Sequence, residues 1–334
     1  MTNTLFVLLD GMEDHPNPLM GGLKPYEAAD MPFMRRKAMH GLRTSGRGYT
    51  HLFLNEFFTG HPPESSRAAL EALGLGMSMD DPGRTAYRLS PATISDGMIR
   101  WSYGTAKNRD RLVPTVESHM DIVEPYDPEI RFFIGGRAIL TMECDEIPDL
   151  PAPPVDAPMV EVPGDLGRLV MSVAEDLEGT TDYPWGCGRL GRLFGPAKGL
   201  GRMTAISNSP TSLGICASMG CDIKLVDDLD DRFPIAQEAL ERGDVFLHVD
   251  EVDEYSHKKD PFLKKRVLEH TDRMMEEYFE DVENVVYFVD HGTSCVTGEH
   301  ILMDVPLWTS MDVGLPEGAY VPLDRVVETL MEHR

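Results

Sequence analysis

Three separated runs of buried-looking residues in this chain stop at an acid, and that repeated punctuation constrains the fold more than any other feature. LFVLLD ends at Asp10. DVFLHVDEVDEYSH carries Asp253 and His257, and NVVYFVDHGTSCVTGEH delivers Asp290 and His291, with His300 after a loop. Runs this rich in Val, Leu and Phe read as strands buried on both faces, the kind found where helices cover a parallel sheet. From Met203 onward MTAIS, DIKLVDD, DVFLHVD and NVVYFVD read as strands, and SPTSLGICASMG, PIAQEALERG, PFLKKRVLEHTDRMMEEYF and DRVVETLMEH read as helices. The alternation predicts an α/β core with a mostly parallel sheet and helices on both faces. Ligands of such sheets gather beyond the carboxyl ends of the strands, so Asp10, Asp253, Asp290 and His291 are expected on one rim.

Nearer the start, MPFMRRKAMHGL predicts a helix closed by Gly41, followed by a strand near Thr50 to Asn55. In TGHPPESSRAALEALGLG, Pro62-Pro63 disfavours helix before it, and Ser65 or Ser66 can cap the Ala- and Leu-rich helix that follows. A serine there serves as a cap without any chemistry. It also sits where backbone N–H groups and the helix dipole favour phosphate, which suits a nucleophile that carries a phosphoryl group.

From about Asp80 to Lys198 the texture changes to short strand-like pieces (TAYRLS, GMIRWS), a hairpin at IRFFIGGRAILTM, the linker-like DEIPDLPAPPVDAPMVEVPGD and one clear helix, GDLGRLVMSVAEDLEG. This predicts a smaller inserted α+β domain at 80–198, acting on substrate or as a lid, within a discontinuous core of 1–79 and 199–334. YPWGCGRLGRLFGPAKGLG is Gly-rich and basic but matches no phosphate-loop spacing, and reads as a flexible connection with Arg189, Arg192 and Lys198 as candidate anion contacts. Arg131 and Arg137 in the hairpin are candidates by charge alone.

The balance of 31 basic against 56 acidic residues disfavours nucleic acid and anionic membrane as partners. No apolar run approaches the length of a membrane span, and MTNTLFVLLDGMEDHP lacks the basic flank and cleavage site of a signal peptide, so a cytoplasmic protein is expected. Five scattered cysteines without a CxxC pair fit reduced thiols rather than a catalytic or metal-binding set. Asp, His and Ser donors suit Mn²⁺, Zn²⁺ or Mg²⁺, and a set this size can hold a pair of ions. Asp253 and His257, four apart, face one point if their segment turns helically.

VLLDG, KPYEAADMP, SSRAALEALGLG, FLHVDEVDEYSH followed by KKRVLEHTDRMM, and VDHGTSCVTGEH with Val305-Pro306 occur in this order. Together they resemble the cofactor-independent phosphoglycerate mutases, in particular the archaeal-type branch, within the alkaline phosphatase superfamily. The resemblance covers both ends of the chain and is weak in the middle. It implies an alkaline-phosphatase-like core, two divalent ions with Mn or Zn first and Mg as the other choice, and a glycolytic isomerase that acts on a small phosphorylated metabolite through a phosphoserine. It also implies that Ser65 is the nucleophile and holds one ion with Asp10, Asp290 and His291, while Asp253, His257 and His300 hold the other. Lys264 falls where the family has a lysine that assists the transferring phosphoryl group, with Lys265 beside it in the register. Family spacing to the following Leu-Gly selects Ser65 over Ser66.

The chain departs from the family at Ser66, where an acid is usual, at Ala69, where a polar residue is usual, and in a shorter middle domain. Three activities therefore stand: a mutase that converts 3-phosphoglycerate to 2-phosphoglycerate, a metal-dependent phosphatase of the same superfamily, and a non-catalytic relative that binds a metabolite.

Overall fold

The computed structural model describes residues 2–101, 109–144, 148–150 and 157–334. They form two compact units, Met1–Pro63 with Phe194–Arg334, and Glu64–Leu193.

The first unit is built on a sheet with eight strands among the described residues, in the order Asp222–Leu225, Met203–Ser207, Asp244–Val249, Thr4–Leu9, Asn284–Phe288, Asp304–Thr309, His40–Ser45 and Ala319–Tyr320. The first five strands run parallel, and Asp304–Thr309 lies antiparallel to both of its neighbours. Every residue of Thr4–Leu9 and Asp244–Val249 is buried, including Thr4, Asp244 and His248 within the otherwise apolar runs. Leu8 pairs with His248 on one side and with Phe288 on the other, so the chain leaves all three strands at one end of the sheet. The expected α/β architecture with a parallel-rich sheet is present.

Two local expectations near the start are overturned. Thr50 to Asn55 belongs to a helix, Thr50–Thr59, and not to a strand. Its apolar, aromatic beginning resembles a strand, but Phe53, Leu54, Phe57 and Phe58 recur at helical spacing and are all buried. Phe57 stacks on Phe288 of the sheet with ring centroids 4.4 Å apart, and Phe58 meets Phe6 edge-on at 5.7 Å. The preceding helix ends at Lys37, and Gly41 lies inside the strand His40–Ser45 instead of closing that helix.

The second unit carries the strands Arg84–Ser95, Met98–Trp101, Glu129–Phe133, Arg137–Glu143, Ala157–Pro158 and Thr180–Gly188, paired antiparallel throughout. The expected hairpin is the Glu129–Phe133 and Arg137–Glu143 pair. Tyr87, Leu89, Leu140 and Tyr183 of the sheet pack with Leu112 and Val116 of one helix and with Leu169 and Val173 of Gly164–Asp176. The helix Arg67–Gly74 lays Ala68, Ala69 and Ala72 against Ala86 and Ile139, and small side chains let it approach the sheet closely. That helix therefore groups with the second unit, which starts at Glu64, whereas the sequence placed it in the core up to residue 79. YPWGCG is the end of the strand Thr180–Gly188, not a flexible connection. Residues 145–147 and 151–156 of the linker-like stretch lie outside the described residues.

Candidate metal centre

Asp10 follows Thr4–Leu9, and Asp290-His291 follows Asn284–Phe288. The parallel register brings these turns together, with Asp10 Oδ1 and Asp290 Oδ2 each 3.3 Å from His291 Nε2. Both oxygens are buried and accept no hydrogen bond. The second oxygen of each carboxylate is occupied: Asp10 Oδ2 accepts from His248 Nε2 at 2.7 Å, and Asp290 Oδ1 accepts from the N–H groups of Gly11 at 3.1 Å and His291 at 3.0 Å. His291 Nδ1 lies 3.2 Å from the Gly292 carbonyl and donates to it, which leaves Nε2 facing the two carboxylates. Two unpaired oxygens and one imidazole nitrogen thus face a common point. A buried carboxylate oxygen left without a partner is costly, and a divalent cation satisfies all three donors at once.

A second group forms beside it. Glu251–His257 is a helix, so Asp253 and His257 share a face, with Asp253 Oδ2 3.0 Å from His257 Nε2. His300 enters from a short strand, its Nε2 3.2 Å from His257 Nε2 and 3.8 Å from Asp253 Oδ2. Each ring's Nδ1 lies 2.8 Å from a backbone carbonyl, Gly298 for His257 and Gly48 for His300. Both far nitrogens are thereby set as donors, and the near nitrogens bring lone pairs to the same place as a carboxylate.

Thr293 ties the groups together, donating from Oγ1 to Asp253 Oδ1 at 2.5 Å and standing 3.1 Å from His291 Nδ1. The His291 and His300 rings stack at 4.0 Å, and one ligand atom from each of Asp10, Asp253 and His291 falls within 4.8 Å of the others. Gly11 is required here twice over. Its φ of +61° suits glycine, and a Cβ on it would approach Asp253 Oδ1 to 2.5 Å and Thr293 Oγ1 to 2.6 Å.

The charges respond to this crowding. Burial alone would raise the Asp10 carboxyl, but the hydrogen bond from His248 and the close imidazole of His291 outweigh it and hold the group below the usual carboxylate range. Burial together with the Asp10 charge pushes Asp290 up to about 6. Burial would lower the two imidazoles, yet Asp253 raises His257 to about 9, and Asp290 with Asp10 raises His291 to about 10.

Six of the expected residues, Asp10, Asp253, His257, Asp290, His291 and His300, converge in the first unit. Lys264 lies there too, but its surroundings differ from the expected phosphoryl contact. It is wholly buried in Pro261–Phe279, and its Nζ donates to the carbonyls of Gly11 at 2.9 Å, Thr293 at 3.0 Å and Glu13 at 3.3 Å, with Asp14 Oδ2 at 3.6 Å. Its three N–H directions are taken, and they join the turn after Asp10 to the segment after His291. Lys265 pairs instead with Glu269 one helical turn on.

Ser65 belongs to the second unit. There its Oγ accepts from the Gly191 N–H at 3.0 Å, whereas Ser66 is the N-cap, its Oγ accepting from the Ala69 N–H at 3.2 Å. Of the candidate anion contacts, Arg189 is held by Thr85 and the Cys144 carbonyl, and Arg131 by Glu129.

His248, Thr293 and Gly11 were not singled out by sequence reasoning. His248 had a signal, an ionisable residue inside the otherwise apolar DVFLHV.

Residues 222–314 match the Metalloenzyme superfamily. The 2,3-bisphosphoglycerate-independent phosphoglycerate mutase of Picrophilus torridus is 26% identical to the chain, over 93% of this chain and 89% of that protein. Among solved structures, the PH0037 protein from Pyrococcus horikoshii superposes with a TM-score of 0.73 at 18% identity, covering 100% of this chain and 98% of the other. The cofactor-independent phosphoglycerate mutase from Thermoplasma acidophilum superposes with a TM-score of 0.57 at 20% identity, covering 99% of each. These structural likenesses show a shared fold.

Proposed function

We propose that this chain, a Metalloenzyme superfamily domain across residues 222–314, is a metal-dependent phosphoryl-transfer enzyme of the phosphoglycerate mutase kind. The observation that carries this reading is the pair of adjacent donor groups, one with two buried carboxylate oxygens that accept no hydrogen bond. Asp10, Asp290 and His291 would hold one ion, and Asp253, His257 and His300 the other. Carboxylate and imidazole donors without thiolate suit Mn²⁺ or Zn²⁺, with Mg²⁺ the harder choice. When bound, two such ions lower the pKa of a hydroxyl nucleophile and offset charge on the phosphoryl group.

The remaining steps belong to the chain's own side chains. Ser66 is the N-cap of Arg67–Gly74, and Ser65, selected by its spacing to the following Leu-Gly in the family it resembles, is the nucleophile of this reading. Ser65 Oγ forms a bond to phosphorus as the substrate's ester P–O bond breaks, giving phosphoserine and a free substrate hydroxyl. Transfer of the same group to a different hydroxyl of that molecule regenerates Ser65 and completes an isomerisation. Transfer to water would make the enzyme a phosphatase, a second reading favoured by Ser66 standing where the family has an acid. The substrate is a small phosphorylated metabolite, 3-phosphoglycerate for the mutase, and a glycolytic role would place the enzyme in the cytoplasm.

One assay tests both readings. Protein loaded with Mn²⁺ or Zn²⁺ is given 3-phosphoglycerate without bisphosphoglycerate, and 2-phosphoglycerate and inorganic phosphate are followed together. Migration of the phosphoryl group supports the mutase, release supports the phosphatase, and neither product from a panel of phosphoesters removes the enzyme reading.

A further inference from the structure

We infer that His248 is a positioning residue that selects which oxygen of Asp10 faces the metal, an inference that rests on the metal-centre reading above. His248 is fully buried in Asp244–Val249, beside Leu8, two residues before Asp10. It occupies the middle of a hydrogen-bonded chain. The Ser209 N–H donates to Ser207 Oγ at 2.9 Å, Ser207 Oγ lies 2.8 Å from His248 Nδ1, and His248 Nε2 lies 2.7 Å from Asp10 Oδ2. The ionised Asp10 carboxylate can only accept, so the ring hydrogen lies on Nε2, and in the neutral ring Nδ1 accepts the Ser207 hydroxyl hydrogen while the Ser209 N–H fills one acceptor site of Oγ. An imidazolium would donate from Nε2 as well, so the contact to Asp10 is the same in either protonation state.

The consequence lies on the other side of the carboxylate. With Oδ2 engaged by His248, Asp10 presents Oδ1, the buried oxygen that accepts no hydrogen bond and stands 3.3 Å from His291 Nε2. The carboxylate is thereby held to one oxygen toward the ion, and its rotation about the Cβ–Cγ bond is blocked by a side chain from the neighbouring strand. Outer hydrogen bonds of this kind typically change metal affinity by about 10–100-fold. Asp250 lies close to the same ring, its Oδ1 3.9 Å from His248 Nε2, too far to replace Asp10 as the acceptor.

Two amide substitutions separate the function of each ring nitrogen. In His248→Gln the amide N–H₂ reaches the position of Nε2 and can still donate to Asp10, whereas His248→Asn reaches only the position of Nδ1. Mn²⁺ titration of metal-stripped full-length protein, by calorimetry or by the loss of free Mn²⁺ signal in electron paramagnetic resonance, reads the effect without turnover. The expected result is Mn²⁺ affinity about tenfold or more weaker in His248→Asn and within about threefold of wild type in His248→Gln. Equal affinities in the two variants overturn the inference while leaving the metal centre standing. Wild-type protein that takes up no Mn²⁺ overturns both. Should the His248 variants fail to fold, Ser207→Ala releases the far end of the ring, and unchanged Mn²⁺ affinity in that variant overturns the inference.

Discussion

His257 and His300 meet with their Nε2 atoms 3.2 Å apart, each ring oriented by a backbone carbonyl at its other nitrogen. Two lone pairs at that separation repel unless a proton or a cation lies between them. In the proposed metal-bound protein a cation would take that place. Replacing His300 by Ala is therefore expected to remove about one of two bound Mn²⁺ equivalents, because the Asp10, Asp290 and His291 group keeps its own donors. Calorimetric stoichiometry checks this, and two tight equivalents in the variant would show that His300 is not a ligand.

The metal-free protein should lose stability as pH rises. His257 and His291 titrate in the folded chain at about 9 and about 10, above their ordinary value of 6.5, so the folded state holds their protons more tightly than the unfolded chain does. That contribution is complete below about pH 6.5 and disappears as pH climbs through 9 to 10. Thermal melts of stripped protein between pH 7 and 10 should show a falling midpoint, while protein loaded with Mn²⁺ declines less because the ions replace those protons. Parallel curves for the two forms would contradict the assignment.

Gly11→Ala tests the crowding between the two donor groups. A side chain at φ +61° is strained, and its Cβ would meet Asp253 Oδ1 and Thr293 Oγ1 at 2.5 and 2.6 Å. Backbone strain alone is of the order of 1–3 kcal/mol. Urea denaturation should show at least that loss, accompanied by weaker Mn²⁺ binding from displacement of Asp253. Wild-type Mn²⁺ affinity in a folded variant would show that the neighbouring side chains yield without moving the ligand.

Lys264→Met leaves the buried Gly11 and Thr293 carbonyls short of a donor, while the Glu13 carbonyl keeps the Thr293 N–H, and each unsatisfied group costs about 1–3 kcal/mol. Reduced stability with turnover restored by excess Mn²⁺ is the expected pattern for a residue that joins two turns. Full stability with turnover lost at saturating Mn²⁺ would return the lysine to the phosphoryl group.

The adjacent serines should separate cleanly. Ser66→Ala removes an N-cap and is expected to lower stability by about 1 kcal/mol while phosphoserine still forms on incubation with substrate. Ser65→Ala should abolish both the phosphoserine and turnover, with Mn²⁺ binding largely kept. Intact-mass measurement after quenching identifies the modified residue, and an unchanged turnover in Ser65→Ala removes it as the nucleophile.

The amino-acid sequence by itself determined the buried parallel strands, because long runs of Val, Leu and Phe such as LFVLL and NVVYF have no stable place except inside a covered sheet. It also set Asp253 and His257 at a spacing of four, which puts them on one face once the segment is helical, and the structure supplies that helix in Glu251–His257. The aromatic start of Thr50–Thr59 was legible only once its helical spacing could be weighed against its strand-like composition. What the tertiary structure decided is of another kind. The order of strands brings Asp10 and Asp290 together, carbonyls of Gly48 and Gly298 turn two imidazoles toward each other, and the neighbouring strand supplies His248 to one oxygen of Asp10. Local periodicity tells which face a side chain occupies. Which of its atoms faces an ion depends on hydrogen bonds from residues distant in the chain, and those exist only after the sheet has assembled.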